Sequence, residues 1–208
     1  ATAGYYNYSF NYSVPATTGA YTVKVWANNL DGNSDTQNNN DTLSVLLNAL
    51  SVLSPKKVLL EEATGSWCGY CPDGALRVDD ILQNNSNVIA VTLHNSDGMD
   101  FTNGNTVNST YSSGYPTGYV DRHLFPGEPI VGTNRGTWAT NCDTRLLEAT
   151  PAAVNITQAY NASTRVITAT VSSTFYGNIA GEFRLNLYVV EDSVTGTGAD
   201  YDQENYYS

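Results

Sequence analysis

Alternation of apolar and polar residues predicts β-strands towards both ends of the chain. Apolar positions recur at every second residue in the segments 6–14, 21–26 and 182–191, and the segments 42–53, 153–160 and 165–176 are further candidate strands. A period of two is typical of a strand with one buried face. We therefore predict two all-β regions, at residues 1–54 and 151–208. The stretch 195–208 is acidic and rich in tyrosine, and we expect it to be poorly anchored.

Residues 55–150 follow a different pattern, which predicts an α/β domain between the two β regions. Continuous apolar runs at 58–60 and 88–93 are typical of buried parallel strands. Segments 117–122 and 129–131 predict two more strands. Apolar residues at helical spacing predict one helix between the first two strands and one at the end of the domain, carried by Ala75, Val78 and Leu82, and by Trp138, Cys142, Leu146 and Ala149.

The two β regions are too small to be stable sheets by themselves. A three-stranded sheet has two open edges and an apolar face that needs a cover. We expect the two regions to pair with each other, or each to be completed by another chain. Strand exchange between copies of the protein is one such arrangement.

Composition narrows the classes of partner. The net charge is −11, with only 9 Lys and Arg residues, which argues against binding nucleic acid. No apolar run approaches the roughly 20 residues that span a bilayer. Asn, Ser, Thr and Tyr supply much of the polar surface, which favours a secreted or cell-surface protein. Nothing in the sequence indicates a cofactor.

The segment from Trp67 to Pro72 contains a pair of cysteines two residues apart, Cys68 and Cys71. At a strand-to-helix junction, unsatisfied N–H groups of the helix favour a thiolate at Cys68, the attacking species. Cys71, one turn further on, would then resolve the mixed disulfide. This hypothesis requires the sulfur of Cys68 to be accessible at the mouth of the helix. We also expect Pro72 to kink the helix or to restart it.

Other interpretations of the polar and sulfur-containing residues remain open. The cysteine pair is also compatible with half of a zinc site or with a purely structural disulfide. Cys142 lies on an apolar helix face, which favours a buried, inert thiol. A weak calcium candidate has the 1-3-5 spacing of oxygen ligands, at Asp31, Asn33 and Asp35, but it lacks the later loop residues.

The order of elements in residues 55–150 and the Trp67-Cys68-Gly69-Tyr70-Cys71-Pro72 segment resemble the thioredoxin superfamily. That resemblance implies a cis peptide bond before Pro116, with Tyr115, Thr117, Trp67 and Tyr70 flanking a protein substrate. It also implies that Glu62 is a buried carboxylate that relays a proton for the resolving cysteine. The alternative is that Glu61 and Glu62 are ordinary charges at a strand end.

Narrower resemblances concern location. The segments 60–65, 150–154 and 187–192 are similar to the outer-membrane-protein-twenty-eight-related, thioredoxin-like surface proteins of Bacteroidota. This implies an envelope or secreted location and β domains joined to the thioredoxin fold. The segment 21–28 and the Asn-rich loop and strand that follow residue 37 resemble bacterial cell-adhesion-related immunoglobulin-like domains.

The sequence thus predicts a thioredoxin-like α/β domain flanked by all-β, immunoglobulin-like or β-sandwich segments, and two functions remain open. One is a surface thiol–disulfide oxidoreductase that acts on protein thiols or disulfides through Cys68, Cys71 and Glu62. The other is a structural or adhesive surface module, or a subunit of an extracellular assembly, in which the α/β domain is a scaffold. A fold by itself does not decide between them.

Overall fold

The computed structural model describes residues 9, 11, 13, 17–26, 42–50, 52, 54–177, 179 and 182–207. These residues form seven strands and three helices. In chain order they are β1 Gly19–Trp26, β2 Thr42–Ala49, β3 Val58–Thr64, α1 Cys71–Asn84, β4 Val88–His94, α2 Thr102–Tyr111, β5 Thr117–Val120, α3 Trp138–Leu146, β6 Ala152–Asn161 and β7 Val166–Phe175. No helix among them is long and apolar enough to cross a membrane.

The described residues divide into two compact units. The α/β unit consists of Pro55–Ala149 and Leu185–Ser208, and the β unit of Ala1–Ser54 and Thr150–Arg184. The third region predicted from the sequence, residues 151–208, is thereby split at residue 184. Its final part contacts the α/β unit, as described below.

The β unit contains two separate antiparallel pairs, β1 with β2 and β6 with β7. In the second pair, Ile156 lies opposite Val171 and Tyr160 opposite Ile167, so the apolar residues share one face. Several of these side chains are exposed: Val154, Ile156, Tyr160, Ile167 and Phe175. This sheet therefore presents an apolar face that the described residues do not bury.

The α/β unit is built on a mixed sheet in the order β4-β3-β5, with β3 parallel to β4 and antiparallel to β5. One face packs against α1 and α3, and its core consists of Val58, Leu60, Val78, Ile81, Val88, Val120, Phe125, Trp138 and Cys142. The other face carries Ala63, Leu93 and Tyr119, with Val107 and Tyr111 of α2 against them. Burying each large apolar side chain contributes about 1.5–3 kcal/mol, so these two cores hold the central strand β3 in place.

Pro72 lies in the first turn of α1, which begins at Cys71. Proline is tolerated there because its missing N–H has no partner in the first turn of a helix. Asp73 adds a negative charge beside the positive end of the helix dipole. The helix therefore starts at the cysteine pair and is not interrupted by the proline.

Two predicted strands do not form. Residues 182–191 are described but belong to no strand, although their apolar residues alternate. Residues 129–131 are also irregular, and only Thr133 makes an isolated bridge, to Gly118. Helix α2, in contrast, occupies a stretch that the sequence left irregular. Most of the predicted strand 6–14 and the calcium candidate Asp31, Asn33 and Asp35 lie outside the described residues.

Candidate functional site

A disulfide joins Cys68 and Cys71, with an S–S distance of 2.02 Å and 5.4 Å between the Cα atoms. The two cysteines lie between the end of β3 and the start of α1. The N–H of Cys68 donates to the carbonyl of Gly65 at 3.0 Å, and the N–H of Cys71 to the carbonyl of Cys68 at 3.0 Å. These bonds form two consecutive turns, so Cys68 precedes the helix and Cys71 is its first residue.

The expectation that Cys68 is accessible at the mouth of the helix is wrong. Cys68 is 4% exposed and Cys71 is 2% exposed. The reason lies in residues 199–207, the cover segment, which extends along the loop that carries the disulfide. The expectation that this acidic, Tyr-rich stretch is poorly anchored is therefore also wrong.

The cover segment is held to the dithiol loop mainly through main-chain groups. The N–H of Glu204 donates to the carbonyl of Ser66 at 2.7 Å, and that of Tyr206 to the carbonyl of Gly69 at 3.0 Å. The side-chain amide of Gln203 donates to the carbonyl of Cys68 at 3.0 Å. Since backbone groups have no side-chain identity, this anchoring leaves little trace in the sequence.

Glu62 is buried on the face of β3 that packs against α1, with 2% of its surface exposed. Burial, with a smaller contribution from the nearby charge of Asp79, raises the pKa of its carboxyl from 4.5 to about 8. Within the described part of the chain, its Oε1 has no hydrogen-bond partner. At neutral pH this side chain is therefore mostly a neutral acid that carries a proton.

Glu62 and the disulfide border the same space. A cavity of about 500 Å³ is lined by Glu62 and Cys71 together with Thr92, His94, Asp79 and Gln203, among others. A cavity of that volume, with Glu62, Asp79 and His94 among its lining residues, has room for water. The Glu62 carboxyl and Cys71 therefore border one space that has room for water.

The peptide bond between Tyr115 and Pro116 is cis. A Cβ built on Gly74 of α1 would overlap Oε1 of Glu62 and lie 3.1 Å from Cβ of Pro116. The carboxyl, the first turns of α1 and the proline therefore meet at one point. Only a glycine fits at position 74 without displacing the other two groups.

The other residues that the resemblance assigns to substrate contact surround the disulfide loop. The rings of Trp67 and Tyr115 are 5.1 Å apart, and the indole N–H of Trp67 donates to the carbonyl of Asn95 at 2.7 Å. Tyr70 is exposed and its ring is 5.1 Å from that of Tyr206. Thr117 is buried, and its hydroxyl donates to the carbonyl of Gly114 at 2.6 Å.

Asp97 positions the loop before the cysteines, and the sequence analysis missed it. One of its oxygens accepts the N–H of Ser66 at 2.8 Å and lies 2.7 Å from Nδ1 of His94. Its side chain is fully buried. An aspartate in a loop 31 residues from its partner carries no sequence signal of such a role.

Glu61 lies on the opposite face of β3 and is fully buried as well. Arg122 binds its carboxylate through two hydrogen bonds of 2.7 Å, from Nε and from Nη2. The hydroxyl of Tyr188 donates to Oε1 of Glu61 at 2.7 Å. The interpretation of Glu61 and Glu62 as ordinary strand-end charges is therefore wrong, since both side chains are buried. Glu61 is paired with a cation, and Glu62 is not.

Cys142 is buried in α3, and burial raises the pKa of its thiol to about 12, with smaller contributions from Asp121 and Asp143. A thiol with that pKa is protonated and inert at neutral pH. The zinc alternative has no support in the described part of the chain, where no three His, Cys, Asp or Glu residues are grouped as metal ligands.

Comparison with known proteins gives one structural likeness. The structure of HBP35 of Porphyromonas gingivalis aligns with a TM-score of 0.50 and 25% sequence identity, over 58% of this chain and 43% of that chain. No protein-family model matches the sequence, and no curated protein matches it either. The chain thus covers less than half of the length of this structural neighbour, a protein from a member of the Bacteroidota.

Proposed function

We propose that the α/β unit is a thioredoxin-like domain that exchanges disulfides with protein substrates. The observation that carries this proposal is the Cys68–Cys71 disulfide, which shares a cavity with the buried, protonated carboxyl of Glu62. A structural disulfide needs no proton donor beside it. An exchanging disulfide does, because each exchange releases or consumes a thiolate.

The proposed reaction transfers two electrons between substrate and protein. A substrate thiolate attacks Sγ of Cys68, the Cys68–Cys71 bond breaks, and a mixed disulfide forms. Cys71 leaves as a thiolate and takes the proton of Glu62. A second thiolate of the substrate then attacks the substrate sulfur of the mixed disulfide and releases Cys68. Two substrate thiols become a disulfide, and the protein disulfide becomes a dithiol.

The reverse reaction uses the same groups. The thiolate of Cys68 attacks a substrate disulfide, and Cys71 resolves the mixed disulfide while Glu62 accepts its proton. The direction depends on the reduction potential of the substrate. The cis peptide bond before Pro116, next to Glu62 and Gly74, supports the assignment of Tyr115, Pro116 and Thr117 to substrate docking.

The likeness to a Bacteroidota protein and the composition of the surface support a location in the cell envelope or outside the cell. In this setting disulfides persist. The second candidate function is a structural or adhesive surface module. It is supported by the exposed apolar face of β6 and β7, which another strand or sheet could cover. Both candidates are compatible with the same location.

The test of the first candidate is exchange with a reduced, two-cysteine peptide. We expect the oxidised protein to convert the peptide to its disulfide, and we expect Cys68→Ser to abolish this activity. In the reverse direction, Cys71→Ser mixed with the oxidised peptide should accumulate the mixed disulfide at Cys68, visible by mass spectrometry, because the Cys68 thiolate attacks the peptide disulfide and the resolving sulfur is gone. The matched control is Cys142→Ala, which removes the third cysteine and should leave exchange intact.

Absence of exchange in either direction by the wild-type protein would overturn the proposal. Equal loss of exchange in Cys142→Ala and Cys68→Ser, in folded protein, would do the same. Self-association that persists in Cys68→Ser, together with inactive wild-type protein, would favour the second candidate.

A further inference from the structure

The last part of the cover segment is bound to the dithiol loop through alternate main-chain groups. Its two main-chain donors, Glu204 and Tyr206, are two residues apart and bond the carbonyls of Ser66 and Gly69. A spacing of two residues is the repeat of an extended chain, in which alternate N–H groups point the same way. Main-chain pairing of this kind is how proteins bind extended peptides.

Gln203 adds a side-chain contribution that a generic peptide lacks. Its Nε2 lies 3.4 Å from the carbonyl oxygen of Gly65, 3.2 Å from that of Ser66 and 3.0 Å from that of Cys68. Three carbonyls of the dithiol loop thus point at one amide group. Carbonyl oxygens accept and do not donate, so this cluster selects a side chain with several N–H donors, such as glutamine or asparagine.

Two tyrosines complete the contact. The ring of Tyr206 lies on the backbone of Gly69, where a Cβ would overlap it, and 5.1 Å from the ring of Tyr70 at 89°. The hydroxyl of Tyr207 accepts a hydrogen bond of 3.0 Å from Arg135. Edge-to-face aromatic pairs are favourable, so Gly69 and Tyr70 form a seat for an aromatic ring.

The segment is also accessible to water. Tyr206 is 63% exposed, although its ring covers Gly69. Water competes for hydrogen bonds at such an exposed site, and segments held in this way open more readily than a core does. The cover segment can therefore leave the loop while the sheet and its two cores stay folded.

We propose that residues 65–70 form a binding face for extended polypeptide with the pattern Gln-x-x-Tyr, and that residues 203–206 of this chain occupy it and shield the disulfide. The partner that this face fits is an unfolded or extended protein segment with an amide side chain and, three residues later, an aromatic ring. This inference names the class of substrate for the proposed disulfide exchange, and it rests on that proposed function only for the turnover of a substrate. The shielding itself is independent of catalysis.

The experiment measures how fast a water-soluble phosphine reduces the disulfide in the full chain. The test variant is Gln203→Ala with Tyr206→Ala, and the control is Gln158→Ala with Tyr160→Ala on β6, where Tyr160 is 62% exposed. We expect the test variant to be reduced about tenfold faster or more, since opening no longer limits access, and the control to match the wild type. In Gly69→Ala, the added methyl group on the loop displaces the ring of Tyr206, so this variant should also be reduced faster.

A peptide of sequence Gln-Glu-Asn-Tyr-Tyr is then added to the test variant. It should slow the reduction again in a saturable way, and a peptide with alanine in place of Gln and the first Tyr should not. Unchanged reduction rates in both the double variant and Gly69→Ala would overturn the inference, as would a peptide with no effect. Faster reduction of the test variant without thiol exchange in any form would support the shielding and overturn only the proposed function.

Discussion

Two neighbouring carboxyl groups, on opposite faces of β3, have opposite surroundings. On one face, Glu61 is fully buried and bound by Arg122 and Tyr188. On the other, Glu62 is buried against α1, and its Oε1 has no hydrogen-bond partner among the described residues. Burying an ionised carboxylate costs several kcal/mol unless a cation compensates it. Glu61 has its cation, and Glu62 instead keeps its proton.

This difference separates a structural role from a chemical one. The bonds of Glu61 join β3, the turn after β5 and the segment that begins at Leu185, since Arg122 and Tyr188 come from those two places. Glu62 faces a cavity that it shares with Cys71. Glu61, whose carboxylate oxygens are hydrogen-bonded, stabilises the fold. Glu62, whose Oε1 lacks a hydrogen-bond partner among the described residues, is available for proton transfer.

The largest expected effect is that of Arg122→Ala, which leaves the carboxylate of Glu61 buried without its cation. We expect a loss of about 3–5 kcal/mol in the free energy of unfolding, the usual cost of breaking a buried ion pair. Urea denaturation measures it. The control is Arg77→Ala, because Arg77 pairs with Asp73 at 2.9 Å on the surface and should cost about 1 kcal/mol or less. Equal losses in the two variants would show that Glu61 does not depend on its partner.

The next effect is a pH dependence that comes from Glu62. Its pKa is about 8 in the folded protein and 4.5 as an ordinary carboxyl, so between these values the folded state holds a proton that the unfolded state has lost. This contribution is complete below pH 4.5 and falls as the pH rises towards 8, by up to about 1.4 kcal/mol per pH unit.

Glu62→Gln should remove this slope, because glutamine has the same shape and no charge. The measurement is the difference between the unfolding free energies of variant and wild type at several pH values from 5 to 8. We expect the variant to gain on the wild type as the pH rises. A difference that stays constant over this range would contradict the raised pKa and would remove the contrast between the two faces.

The smallest effect is that of Tyr188→Phe, which keeps the ring and removes the hydroxyl between Glu61 and Arg122. We expect a loss of about 1–2 kcal/mol, since the hydrogen bonds of this hydroxyl with Glu61 and with Arg122 both disappear from a partly exposed side chain. Thermal unfolding measures it, with Tyr160→Phe on β6, where the ring is exposed, as the comparison. A loss as large as that of Arg122→Ala would indicate that the tyrosine, and not the ion pair, holds the segment from Leu185 onward.

The sequence predicted the elements that rely on apolar periodicity. Helix α1, helix α3 and the strands β3, β4, β6 and β7 all form close to the predicted positions. Helix α2 does not have such a period, because its apolar contacts are limited to Val107 and Tyr111 and its fully buried side chain, that of Asn108, is polar. Asn108 donates to the carbonyl of Leu93 at 3.0 Å and accepts from the hydroxyl of Tyr119 at 3.1 Å.

At the candidate site, the sequence identified the residues but not their access. Cys68 and Cys71 stand out through a local motif, and Glu62 and Pro116 through the resemblance to thioredoxins. The cover segment was missed because its contacts go to main-chain carbonyls more than 130 positions away, from the N–H groups of Glu204 and Tyr206 and from the side chain of Gln203. The partners of Glu61 were missed for a related reason, since they are 61 and 127 positions away.

The buried thiol of Cys142 has a consequence for biogenesis. A chain with 3 cysteines can close the wrong disulfide while it is still unfolded, when every sulfur is equally reachable. Once α3 has docked, its thiol is enclosed and protonated, and only the pair at positions 68 and 71 can oxidise. Short loops also close more easily than long ones. The fold thereby keeps the third sulfur away from the Cys68–Cys71 disulfide and protects that pair from scrambling.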